Sequence, residues 1–126
     1  MTEFCCKYYL TTEHTSVFLG ITPPLFAEAY RSWLDICCSL GFSHLFKFKG
    51  EIVSIVLALD YNIYAQALKG FPLVEYIEGI IEEAYEPYDP KEPAKSVSIF
   101  IGCTHPDHIK KGLFFKLIQQ VEKSGV

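Results

Sequence analysis

At 126 residues with a net charge of −4, the chain is sized for one domain with a real core, and nucleic acid is not expected as its main partner. Half the residues are hydrophobic and 15% are aromatic, which argues against disorder. No apolar run approaches the ~20 residues of a membrane span, and the N-terminus lacks the pattern of a signal peptide, so a soluble, cytoplasmic protein is expected.

Glu3 to Thr11 is short and rich in aromatics and reads as a first strand. Thr22 is placed to cap a helix, with Pro23 and Pro24 in its first turn. Leu25, Ala29, Trp33 and Cys37 recur at helical spacing, Phe26, Tyr30 and Leu34 widen the stripe, and Gly41 ends it. Phe42 to Lys49 alternates as a second strand and Lys49-Gly50 supplies the turn. Glu51 to Asp60 is apolar enough for a central third strand. Leu73, Ile77, Ile80, Ile81 and Ala84 form the stripe of a further helix, and the acidic run Glu75, Glu78, Glu82, Glu83, Glu86 and Asp89 reads as a solvated face, with attraction of a cationic amine as the alternative. Pro87, Pro90 and Pro93 stiffen a loop into a fourth strand, Ser96 to Thr104, and Leu113 to Lys123 forms the last helix.

Five cysteines occur as Cys5-Cys6, Cys37-Cys38 and Cys103, with no C-x-x-C and no zinc-site spacing. They read as reduced thiols acting as small apolar residues. A nucleophilic Cys103 would have only the nearby helix start to lower its pKa. His105 and His108 are three apart, but nothing beyond Asp107 completes a ligand set, and no metal is expected.

Chemistry concentrates in the segment from Ser96 to Leu117, where an apolar strand breaks at Thr104-His105-Pro106 and Ile109-Lys110-Lys111-Gly112 leads into a helix. Unpartnered N–H groups and the helix dipole make such a helix start a place for phosphate, and two lysines beside it are rationalised by an anion. The segment resembles motif A of the GCN5-related N-acetyltransferase superfamily, a strand running into V-x-P, then Q/R-x-x-G-x-G/A, then a helix. Thr104-His105-Pro106 stands at V-x-P and Ile109 to Phe114 at the loop. Ile109 replaces the family's Gln or Arg, and Phe114 replaces a Gly or Ala.

The resemblance implies a mixed α/β (α+β) fold over residues 1–126, with a mainly antiparallel sheet flanked by helices and the C-terminal strands of the full fold lacking. It implies an acetyltransferase that moves acetyl from acetyl-CoA to a small primary amine. Gly102, Cys103 and Thr104 would hold the pantetheine arm, and Ile109, Lys110, Lys111, Gly112, Leu113 and Phe114 the pyrophosphate. Glu13 to Gly20 resembles the E-P-L-x-x-x-L-G segment of arylalkylamine N-acetyltransferase-like members, which would make Glu13 the general base. Asp60, at the end of the third strand, is the second candidate. An exposed loop carboxylate is the plainer account of Glu13, and a turn contact that of Asp60. The competing expectation is a catalytically inactive half-fold that binds CoA or oligomerises. An open fourth strand is an association hazard, so a homo-oligomer, most simply a twofold dimer, or completion by another chain is expected.

Overall fold

The computed structural model describes residues 1–12, 17–18, 20–60, 63, 79, 92 and 96–124. The helix expected from Leu73 to Ala84, the proline-spaced loop and Glu13 lie outside the described residues. Among the described residues the architecture is mixed α and β: an antiparallel sheet flanked by helices, as expected. The described sheet has three strands, β1 (His44–Phe48), β2 (Glu51–Asp60) and β3 (Val97–Thr104), in the spatial order β1-β2-β3.

The central strand is central for a physical reason. Val53 to Leu59 is a continuous apolar run but for Ser54, and every residue in it is buried. Such a strand must be covered on both faces. On one face Ile55, Leu57 and Leu59 pack with Phe26, Trp33, Leu34 and Cys37 of helix α2 (Pro23–Ser39). On the other, Val56 and Ala58 meet Leu117 and Val121 of helix α3 (Leu113–Ser124). Lys49 and Gly50 both have positive φ, 51° and 81°, which gives the β1–β2 hairpin a two-residue turn matching strand twist.

Helix α2 opens as expected, with extended Thr22 at its N-cap and the Phe26 amide donating to the Thr22 carbonyl at 2.9 Å. The Thr22 side chain makes no capping bond. Gly41, at φ 78°, follows the C-cap Leu40 and turns the chain out of the helix. The buried stripe runs through Phe26, Trp33 and Cys37, whereas Leu25, in the first turn, is 40% exposed. Ser43 ties the helix end to the sheet, its Oγ donating to the Cys37 carbonyl at 2.8 Å and accepting from the Ala58 amide at 3.0 Å.

The N-terminal segment corrects the expectation of a strand. Thr2–Phe4 is α-helical and Cys5–Tyr9 continues as a π-helical turn, together α1. Its apolar residues come in doublets with no alternation, so nothing commits them to a two-sided strand. Phe4 and Tyr8, one turn apart, stack at 4.9 Å. The wider turn is closed by the Leu10 amide donating to the Cys5 carbonyl at 2.9 Å, and both residues are buried in the core of the α2 face. Burying Phe4, Cys5 and Leu10 together is what the helix achieves and a flat strand would not.

Both strand pairings are irregular where the functional segment begins. Phe46 pairs with Ser54 and Lys47 with Ile52, which leaves Val53 as an extra residue on β2. The Val53 carbonyl accepts instead from the His105 amide at 2.7 Å, anchoring the chain just past β3. On β3, Ile101 pairs with Leu57 and Ile99 with Ala58, so Phe100 is an added residue in a bulge. Bulges of this kind take backbone groups off the ladder.

Candidate functional site at the end of strand β3

Strand β3 delivers Gly102, Cys103 and Thr104 to one end of the sheet, and a short 3₁₀ turn, Pro106–His108, leads from there to α3. Thr104 Oγ1 is 2.8 Å from the hydroxyl of Ser54, which is fully buried and directly opposite it. His105 caps the turn, its Nδ1 accepting from the Asp107 amide at 3.1 Å. In the neutral ring the proton therefore sits on Nε2, which is left as a donor.

The loop that follows is built from unusual backbone. Lys110 has φ 61° and Gly112 φ 71°, both in the left-handed region that glycine tolerates and most residues avoid. The reversal ends in the first bond of α3, where the Lys116 amide donates to the Gly112 carbonyl at 3.1 Å. Lys110 and Lys111 are exposed, and Lys111 Nζ lies 3.4 Å from His108 Nδ1.

Phe114 is resolved in an informative position. A Cβ placed on Gly102 would lie 2.2 Å from Phe114 Cε2, so the ring is turned onto β3 and Gly102 is required for that approach. Gly102→Ala should therefore push the exposed Phe114 ring off β3 at a cost of about 1 kcal/mol or less. Adding Phe114→Ala should recover most of the loss, a coupling readable in a double-mutant denaturation cycle.

Against the outer side of this corner lies a cavity of about 570 Å³, lined by Gly102, Cys103, Thr104, Pro106 and Ile109 and, from the N-terminal segment, Lys7, Tyr8, Thr11 and Thr12. Four of the expected coenzyme residues thus border one space. Lys110, Lys111, Gly112, Leu113 and Phe114 form the adjoining loop and helix start but do not line it. Lys7, Tyr8, Thr11 and Thr12 were not foreseen. Phe4 and Tyr8 are one helical turn apart, but the doublets Cys5-Cys6 and Tyr8-Tyr9 mask that spacing in the sequence.

Of the two carboxylates expected as bases, Asp60 is not brought to this corner. Glu13 lies outside the described residues. Asp60 pairs with Val97 at the far end of β2, whereas Thr104 pairs with Ser54. At a rise of roughly 3.3 Å per residue that separates them by about 20 Å along the sheet.

Cys103 does not offer a nucleophile. It is 8% exposed, and burial pushes its thiol up from 9.0 to about 11. Burial raises Cys37 to about 12, and burial, with Cys103 nearby, does the same for Cys5. Cys5, Cys37 and Cys103 are buried free thiols, as the apolar reading expects, but Cys38 is exposed. Thiols whose pKa is raised on folding add stability that is complete below their unfolded values and lost as pH climbs towards 11 and 12. Denaturation midpoints should hold steady to about pH 8.5 and then fall. Replacing all three buried thiols by alanine should flatten that alkaline limb.

Among the described residues no group of three potential metal ligands gathers, and no helix is long and apolar enough to cross a membrane. No family model matches the chain, and no curated protein matches it.

Proposed function

We propose that the corner formed by β3, the Lys110–Gly112 loop and the start of α3 binds acetyl-CoA, and that the protein transfers its acetyl group to a small primary amine. The observation that carries the reading is the pair of left-handed residues, Lys110 and Gly112, between a strand end and the first turn of a twelve-residue helix. Such a reversal leaves successive amides and two lysines at the positive end of a helix, which suits a pyrophosphate. The resemblance of Thr104 to Phe114 to the acetyltransferase motif supports the same ligand.

With phosphates at the loop, the pantetheine arm would run along β3 past Thr104, Cys103 and Gly102. The thioester would then lie towards the Phe100 bulge, where a backbone amide off the ladder can donate to the carbonyl oxygen. The amine, once deprotonated, attacks the carbonyl carbon. The C–S bond breaks, and the thiolate leaves and takes up a proton as CoA.

Acetyl-CoA at a hundred times its dissociation constant should stabilise the fold by about 2.7 kcal/mol, seen as a raised melting temperature. Gly112→Asp puts a side chain and a negative charge at a φ of 71° and should abolish the shift. No shift with millimolar acetyl-CoA would count against the site.

A second reading, an oligomerising module, is favoured by a separate feature. Strand β3 is the last strand of the described sheet, and Ile99 and Phe114 beside it are 45% and 44% exposed. A twofold dimer that pairs or covers β3 would remove this apolar edge.

A further inference from the structure

A second cavity, of about 430 Å³, lies on the same side of the sheet between α1 and the β1–β2 hairpin. Its volume falls in the roughly 300–1,000 Å³ range of small-molecule sites. The helical wall carries Glu3 and Lys7 beside Met1, and the hairpin wall carries Lys47 and Glu51, so acidic and basic side chains face the space from both walls. The remaining lining includes Phe4, Tyr8 and Ile52, an apolar surface, and His105.

The charge arrangement is the telling part. Glu3 and Lys7 are one helical turn apart, a spacing at which opposite charges commonly pair, whereas Lys47 sits opposite Ile52 and Glu51 opposite Phe48, so the two hairpin charges are not cross-strand partners. Among the described residues none of the four makes an ion pair with another side chain. Lys7 lies instead 5.3 Å from the Tyr8 ring centroid. His105 adds an Nε2–H donor, because its Nδ1 accepts from the Asp107 amide, and its ring lies tilted against that of Tyr8 with centroids 4.6 Å apart.

We infer that this cavity binds a small zwitterion, an α-amino acid with an apolar side chain. The carboxylate is received by Lys7, Lys47 and the His105 donor. The ammonium is received by Glu3 and Glu51, and the side chain lies on Phe4, Tyr8 and Ile52. A ligand with a single charge would satisfy one pair of side chains and leave the other facing it with no partner, so both charges on one small molecule fit best. The inference concerns binding alone and does not depend on acetyl-CoA.

The test is calorimetric titration of the full chain with L-phenylalanine and L-leucine, then with phenethylamine and 3-phenylpropanoate, which lack the carboxylate and the amine respectively. Each analogue should bind about ten- to a hundredfold more weakly than phenylalanine, the cost of losing one set of charged hydrogen bonds. Glu51→Gln should narrow the gap between phenylalanine and 3-phenylpropanoate, and Lys47→Gln the gap between phenylalanine and phenethylamine. Both positions are exposed, and circular dichroism should show both variants folded. The inference is overturned if neither amino acid binds by about 10 mM, an affinity too weak for a built site. It is equally overturned if an analogue binds as tightly as phenylalanine, or if both variants bind it unchanged. Failure of acetyl-CoA to bind would leave these outcomes untouched.

Discussion

Trp33→Ala is expected to lower the unfolding free energy by about 3–5 kcal/mol, the cost of truncating a large aromatic in a packed core. Trp33 is 1% exposed and occupies the middle of the α2 stripe, between Phe26 and Cys37, against the face of β2 that carries Ile55, Leu57 and Leu59. Around it are a sheet and a helix that cannot close over the space without moving the hairpin tied to them through Ser43. Domains of this size hold about 5–15 kcal/mol in total, so the variant should lose a large fraction of its stability. Urea denaturation should show a lower midpoint with an unchanged slope. Asp35→Ala, on the exposed face of the same helix, should change stability by no more than about 0.5 kcal/mol.

If the proposed acetyl transfer uses Glu13 as its general base, Glu13→Gln is expected to slow amine acetylation by about 10²–10⁴-fold, with the melting shift expected from acetyl-CoA unchanged. An amine is protonated near neutral pH and must lose that proton before it can attack the thioester. A glutamine keeps the size of the side chain and removes the proton acceptor. The rate is read as amine-dependent release of the CoA thiol. Asp60→Asn provides the contrast. Asp60 is at the opposite end of β2 from the residue facing Thr104, towards which a pantetheine arm laid along β3 would point. A rate that falls with Asp60→Asn and not with Glu13→Gln would move the base to Asp60. Rates unchanged in both would remove each carboxylate from the chemistry.

What could be read from the sequence follows a physical pattern. Strand β2 and helix α3 were legible to within a residue or so because each has a strong signature: an apolar run, interrupted only by Ser54, between a turn and an aspartate, and a 3.6-residue stripe through Leu117 and Val121. The hairpin was legible in Lys49-Gly50 for the same local reason. Helix α1 was not. Cys5-Cys6 and Tyr8-Tyr9 carry no periodicity, and its conformation is decided by burial of Cys5 and Leu10 in a core assembled from distant segments. The polar wall of the candidate site was illegible with it, since Lys7 of α1 and Thr11 and Thr12 of the turn that follows line the cavity. The contact between Phe114 and Gly102 was likewise out of reach, because it depends on how α3 crosses β3. A bulge at Phe100 leaves no trace in an alternation already interrupted by glycine and cysteine.

The most direct test of the central claim is native mass spectrometry of the chain with and without acetyl-CoA. The account predicts that each chain gains the mass of one acetyl-CoA and that Gly112→Asp gains none. The same spectrum shows whether the particle is a dimer, as an uncovered β3 edge would favour. A folded chain whose mass does not change in millimolar acetyl-CoA would contradict the assignment of this corner as a coenzyme site.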